Sequence, residues 1–187
     1  MNQHPDDEEL ITRIARGDRL AMQVLFARHN LRVFRFVVRL VKDEGIAEDM
    51  IGEVFLDVWR QAGRFEARSS VSTWLLSIAR FKALSALRKR REDQLDEDMA
   101  GEIEDDRDTP EVALQKDDKG AAIRACLGRL SAEHREVVDL VYYHEKSLAE
   151  VAAITGAPEA TVKTRLFYAR KKLSELLAEA GIDRGWP

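Results

Sequence analysis

The chain contains a single cysteine, Cys126, and only four scattered histidines, and this scarcity limits the chemistry it can perform. One cysteine can form neither an internal disulfide nor a cysteine-based metal site. Its apolar neighbours predict a small buried side chain. The sequence also lacks a glycine-rich phosphate loop and a nucleophile elbow, and His144-Glu145 lacks the second histidine of a zinc-protease helix. We therefore expect no enzyme activity, no cofactor and no small-molecule substrate.

Long hydrophobic runs are missing as well. No stretch approaches the roughly 20 apolar residues that a membrane-spanning helix needs. Residues 1–9 are acidic and polar, which is the opposite of a secretory signal. These absences predict a cytoplasmic protein without membrane insertion.

The net charge of −4 argues at first against nucleic-acid binding, but the charges are segregated along the chain. Between Arg60 and Arg91 many basic residues are accompanied by one acidic residue, Glu66. The chain then becomes strongly acidic over residues 92–111, and a second basic cluster spans residues 163–172. Each basic patch can bind phosphates whatever the overall charge is.

The periodicity of apolar residues is helical almost throughout, and the alternation that is typical of strands is missing. In the first half we predict helices over residues 6–16, 18–42, 44–62 and 71–91. Four short helices are expected between residues 118 and 180. The fold prediction is therefore all-α, with two small helical domains over residues 1–91 and 118–187. Dense acidic charge and low hydrophobicity predict a flexible linker over residues 92–117.

The pattern of residues 147–178 is typical of a helix-turn-helix motif. Ser147 and Glu150 have the spacing of a capping box, which begins a helix. Gly156 allows a tight turn, and Pro158 lies where a second helix should begin. The same pattern also fits a helical hairpin whose polar face is only solvated.

The second helix of this motif has an apolar stripe along one side. At about 100° per residue, polar and aromatic groups lie opposite the stripe. A recognition helix in a major groove would use such groups for base edges and its basic residues for phosphates. The groups opposite the stripe are Thr164, Phe167, Tyr168 and Lys171, with Lys163 beside them and Arg165, Arg170 and Lys172 in the same helix.

Three stretches in this order, residues 47–59, 65–91 and 161–173, resemble the extracytoplasmic-function (ECF) sigma factors of bacterial RNA polymerase. The resemblance covers nearly the whole chain. It implies a subunit that binds core RNA polymerase and promoter DNA and directs promoter-specific initiation of transcription. It further implies control by an anti-sigma factor, in a stress or envelope response.

The resemblance also implies roles for individual residues. The acidic stripe Asp49, Glu53 and Asp57 would bind the clamp of the polymerase. The residues that would melt and read the −10 element are Arg68, Ser69, Ser70, Trp74, Arg80, Lys82, Arg88 and Lys89. The residues that would read the −35 element are Thr161, Lys163, Thr164, Arg165, Phe167, Tyr168, Arg170 and Lys171.

For several of these residues, a role without any binding partner is the alternative. The three carboxylates can be merely solvated, and Trp74 can be a core side chain. Two positions depart from the family pattern, because Gly52 replaces a common glutamine and Phe81 replaces a common asparagine. An alternative function is a helix-turn-helix regulator that acts at an operator without polymerase, and another is an adaptor that does not contact DNA.

Overall fold

A computed structural model gives the fold, and it describes residues 5–97 and 118–182. These residues form helices and short helical turns without any strand, which confirms the all-α prediction. They fall into two compact units, one on each side of the segment 98–117. The predicted flexible linker lies mostly in that segment, outside the described residues. The helices are α1 Asp7–Ala15, α2 Arg19–Val41, α3 Glu44–Gln61, α4 Val71–Glu97, α5 Asp118–Gly128, α6 Ala132–Val138, α7 Leu148–Thr155 and α8 Glu159–Glu179.

Aspartates begin the first three helices. The side chains of Asp6, Asp18 and Asp43 each accept a hydrogen bond from a backbone N–H group in the first turn of the following helix. Asp18 accepts hydrogen bonds from the backbone N–H of Ala21 and from the guanidinium of Arg13, and these bonds lower the pKa of its carboxyl group. These local hydrogen bonds explain why the starts of α1, α2 and α3 could be predicted from the sequence.

The core of the first unit forms where α2 packs against α1, α3 and α4. Apolar residues repeat every three or four positions along each helix, so that each helix buries one side. Fully buried side chains include Leu10, Leu25, Phe36, Val54 and Leu75.

Helix α4 continues to Glu97, beyond the end predicted at residue 91. Residues 92–97 contain neither glycine nor proline. Glu92 also follows Arg88 by four positions, a spacing at which opposite charges support a helix. The acidic segment therefore begins inside this helix.

The second unit contains the predicted helix-turn-helix. Ser147 and Glu150 make both hydrogen bonds of a capping box at the start of α7. The helix ends at Gly156, which has a φ of 70° and therefore a conformation that favours glycine. Pro158 is the N-cap residue of α8.

The core of the second unit forms between α5, α6 and α8. The thiol of Cys126 is buried there and lies 3.5 Å from the carbonyl oxygen of Leu176. This placement agrees with the prediction of a small buried side chain. The buried core residues around it include Leu130, Val138, Ala169 and Leu173.

Candidate nucleic-acid interfaces

Helix α8 has one buried and one exposed side. Val162, Ala169 and Leu173 are fully buried in the second unit. The opposite side is largely open to solvent. The exposed residues on this side of the helix include Lys163, Thr164, Phe167, Tyr168, Arg170 and Lys171. The structure therefore brings six of the eight predicted −35 residues onto one exposed surface, which we call the α8 face.

Two aromatic rings stand out on the α8 face. Phe167 is 64% exposed and Tyr168 is 54% exposed. Their ring centroids are 5.4 Å apart in an edge-to-face arrangement, so that each ring orients the other. Exposed neighbouring aromatics amid lysines can make apolar contacts with bases while the basic groups hold phosphates.

The remaining two residues of the predicted −35 set are less open. Thr161 is half-buried. Arg165 is also half-buried, and its guanidinium lies 3.1 Å from the carboxylate of Glu133 in α6. Sequence analysis missed Glu133, because this contact joins residues 32 positions apart.

In the first unit, a short loop connects α3 to α4. Ser70 begins α4, because its hydroxyl accepts a hydrogen bond from the backbone N–H of Thr73 and lies 2.9 Å from the Thr73 hydroxyl. Arg68 is exposed and forms an ion pair of 2.6 Å with Glu66, which is also exposed. Ser69 is half-buried. The loop therefore presents a guanidinium at the surface beside a rigid helix start.

Trp74 lies directly after this loop and is half-buried. Its ring packs against Phe65, with the ring centroids 5.0 Å apart. The tryptophan is thus neither a fully buried core residue nor a fully exposed one. An aromatic pair at this position gives the loop an apolar wall.

The basic residues predicted for the −10 element have different surroundings. Arg88 and Lys89 are exposed in the second half of α4, whereas Arg80 is half-buried. Lys82 departs most from the expectation of a phosphate contact. Its ammonium group lies 2.9 Å from the carboxylate of Asp57 and 3.3 Å from that of Glu53. Burial lowers the pKa of Lys82, but the hydrogen bonds to Asp57 and Glu53 outweigh burial and raise it above its ordinary value of 10.5.

The three predicted polymerase-binding carboxylates share one side of α3. Asp49 and Glu53 are exposed. Asp57 is half-buried because Lys82 covers it. Gly52 lies on the same exposed side, and a side chain added there would meet nothing within 4 Å. Leu56 follows one turn later and is 46% exposed, an apolar surface residue that the charge pattern did not point to.

Residues 5–97 and 118–182 contain no group of three or more side chains that could hold a metal ion. No helix within them is both long and apolar enough to cross a membrane.

Comparison with known proteins gives matches in both units. The chain matches the family descriptions "Sigma-70 region 2" over residues 25–92 and "Sigma-70, region 4" over residues 120–173. The RNA polymerase sigma factor CarQ of Myxococcus xanthus is 34% identical over 171 residues, which cover 89% of this chain and 95% of CarQ. The ECF RNA polymerase sigma factor SigL of Mycobacterium tuberculosis is 31% identical over 175 residues, which cover 91% of this chain and 96% of SigL.

A solved structure matches the chain as well. It is a co-crystal structure of the sigma factor RpoE with the anti-sigma factor NepR from Bartonella quintana. RpoE aligns with a TM-score of 0.69 at 27% sequence identity, and the alignment covers 87% of this chain and 98% of that chain.

Proposed function

This chain belongs to the ECF group of the sigma-70 family and is therefore an RNA polymerase sigma factor, and we propose that the surfaces described above carry out its promoter recognition. Membership of the family confirms the resemblance that the sequence indicated. The family function is promoter-specific initiation of transcription together with core RNA polymerase. The assignment of this function to particular residues is our proposal.

We assign the −35 element to the second unit, residues 118–187. The observation that carries this assignment is the α8 face, on which basic and aromatic side chains stand opposite a fully buried apolar stripe. A helix that follows a capped first helix and a tight turn can lie in a major groove and contact base edges. Phe167 and Tyr168 would contact bases, and Lys163, Arg170 and Lys171 would hold phosphates. Thr161, Thr164 and Arg165 complete the proposed set.

The −10 element is assigned to the first unit, residues 1–91. The loop residues Arg68, Ser69 and Ser70 would hold an unstacked base against the apolar wall of Trp74, since extraction of a base costs a few kcal/mol that a pocket must repay. Arg80, Arg88 and Lys89 would hold backbone phosphates. For Lys82 we propose a supporting role, because its ammonium is engaged by α3.

Polymerase binding is assigned to the acidic side of α3. Asp49 and Glu53 present exposed carboxylates to a basic partner surface, whereas Asp57 supports them through Lys82. Residues 92–117 would link the two reading units.

Two further features are proposed from the family. The relative RpoE is in complex with an anti-sigma factor, and we infer that a partner of this class controls the present chain. We also expect a cytoplasmic protein without catalytic activity of its own, since its polymerase and DNA partners are in the cytoplasm.

Transcription with a charge reversal on the α8 face tests the −35 assignment. Lys163→Glu should abolish initiation at a promoter that the wild-type chain recognises, because the new carboxylate repels phosphate. Its binding to core polymerase should be unchanged. Arg129→Glu is the matched control. Arg129 is an exposed basic residue of the same unit that pairs with Glu179, and neither residue belongs to the α8 face. Wild-type initiation by Lys163→Glu would overturn the assignment.

A further inference from the structure

Phe81 is the most exposed large hydrophobic side chain among the described residues, at 70%. It does not stand alone, because Leu84 lies one turn further along α4 and is 40% exposed. The buried apolar residues of α4 lie on another side of the helix and include Leu75, Ala79 and Ala83. Phe81 is therefore not part of the core of the first unit.

The position of Phe81 on α4 places it in line with two residues of the proposed −10 surface. Seven residues make almost two full turns, so that Trp74, Phe81 and Arg88 lie along one line at intervals of about 10.5 Å. Lys82 fixes the rotation of the helix about its axis, because its ammonium is held by Asp57 of α3. Because Lys82 is held against α3, the side chain of the neighbouring Phe81 is directed to solvent.

The surroundings of Phe81 favour a ligand with a flat apolar face and negative charge. The exposed basic residues Arg88 and Lys89 follow about two turns later. An unpaired base offers a π face for stacking, and its phosphates suit the basic stretch of the helix that begins at Arg88. Phenylalanine can contact a base only by its ring, because it has no hydrogen-bonding group to read a base edge.

We propose that Phe81 stacks on an unpaired base of the melted promoter strand, whose backbone continues towards Arg88 and Lys89. The proposal rests on the proposed function of the first unit. The asparagine that is common at this place in the family could bond to a base edge, whereas Phe81 recognises the face, which all bases share. This chain should therefore tolerate every base at that promoter position.

Base stacking can be measured on the complete complex of the chain with core polymerase. The probe is a forked promoter, taken from a start site mapped with this chain, in which 2-aminopurine replaces each unpaired base in turn. Stacking quenches 2-aminopurine fluorescence, so the wild-type complex should quench at one position that Phe81 contacts. Phe81→Leu should lose that quenching and bind the fork at least about fivefold more weakly, as expected for one lost stacking contact. Phe81→Tyr should retain both properties.

The control variant removes an exposed apolar side chain elsewhere. Leu20 is 68% exposed on α2, and Leu20→Ala should leave quenching and fork affinity at the wild-type values. The thermal unfolding of Phe81→Leu should match that of the wild type, because the side chain it changes is exposed.

Three results would overturn the proposal. One is wild-type quenching and affinity in Phe81→Leu, and another is loss of both in Phe81→Tyr. A third is weaker assembly of Phe81→Leu with core polymerase at unchanged fork affinity, which would place Phe81 in a protein contact. If the wild-type chain directs initiation and Phe81→Leu behaves like it, only the stacking proposal fails. If the wild-type chain directs no initiation at all, the proposed function fails and the stacking proposal fails with it.

Discussion

The ammonium of Lys82 on α4 lies 2.9 Å from the carboxylate of Asp57 on α3. The carboxylate of Glu53 lies 3.3 Å from the same ammonium. The sequence assigned Lys82 to promoter DNA and the two carboxylates to the polymerase, but the structure joins them. The helix proposed to bind polymerase is thereby fixed to the helix proposed to read the −10 element.

Replacement of Lys82 should weaken this connection. Lys82→Met keeps most of the packing of the side chain but leaves Asp57 half-buried without its ammonium partner. We expect the free energy of unfolding to fall by about 1–2 kcal/mol, between the values for surface and buried ion pairs. Urea unfolding measures this loss, and Lys89→Met, at an exposed position of the same helix, should change stability by less than about 0.5 kcal/mol. Equal stability of the two variants would contradict the account.

The effect of Lys82→Met should depend on pH in a defined direction. The pKa of Lys82 is raised above 10.5 in the folded chain, so that its contribution to stability is present below pH 10.5 and is lost as the pH rises through the folded pKa. The difference between wild type and Lys82→Met should be constant near neutral pH and shrink in more alkaline solution. A difference that stays constant through that range would show that the charge of Lys82 is irrelevant.

Several helix starts and ends could be predicted from the sequence because they depend on local signals. Asp18, Ser147 and Gly156 determine a helix start or end through contacts within a few residues. The partners of Lys82 and Arg165 could not be predicted in the same way. These contacts join residues 29 and 32 positions apart, and they depend on how two helices cross.

The buried and exposed sides of α4 could not be predicted from the sequence either. Its apolar residues occur almost all around the helix, because one set packs in the core while Phe81 and Leu84 face solvent. A hydrophobic pattern cannot separate a core residue from an exposed apolar residue that serves a ligand. The buried and exposed sides of α8 could be predicted more easily, because its apolar residues lie along one side of the helix.

Gly52 lowers the stability of α3 without any packing reason. It lies inside the helix, and a Cβ atom there would meet nothing within 4 Å. Gly52→Ala should raise the free energy of unfolding by up to about 1 kcal/mol, which is the difference in helix propensity. Gly156→Ala should instead lower it by about 1–2 kcal/mol, because Gly156 has a φ of 70°. Urea unfolding of both variants tests this contrast, and a stabilised Gly156→Ala or a destabilised Gly52→Ala would refute it.

If Arg165 contacts DNA as proposed, Glu133 would compete with the DNA phosphate for its guanidinium. Its carboxylate lies 3.1 Å from the guanidinium, and Glu133→Gln should release Arg165 and tighten promoter binding by up to about fivefold, the usual limit for an exposed ion pair. The gain should shrink as salt is added. Titration of the promoter with the assembled polymerase measures it, with Glu179→Gln as the control at an exposed pair with Arg129. Weaker binding by Glu133→Gln would mean that the pair positions Arg165 for DNA.

Charge reversal on α3 tests the proposed polymerase surface. Asp49→Lys combined with Glu53→Lys should weaken binding to core polymerase by at least about tenfold at fixed salt, because two attractions become repulsions. Glu8→Lys, at an exposed position of α1, is the control. Asp57 is left unchanged so that one carboxylate still pairs with Lys82. Unchanged affinity of the double variant would remove Asp49 and Glu53 from the interface.

Run-off transcription with core RNA polymerase and a genomic promoter library measures whether this chain selects promoters. We expect discrete start sites that appear only when the chain is present and that share two upstream elements, one for each reading unit. Core polymerase alone is the control. Start sites that do not depend on the chain, together with specific DNA binding by the chain alone, would contradict the account and indicate a regulator that acts at an operator.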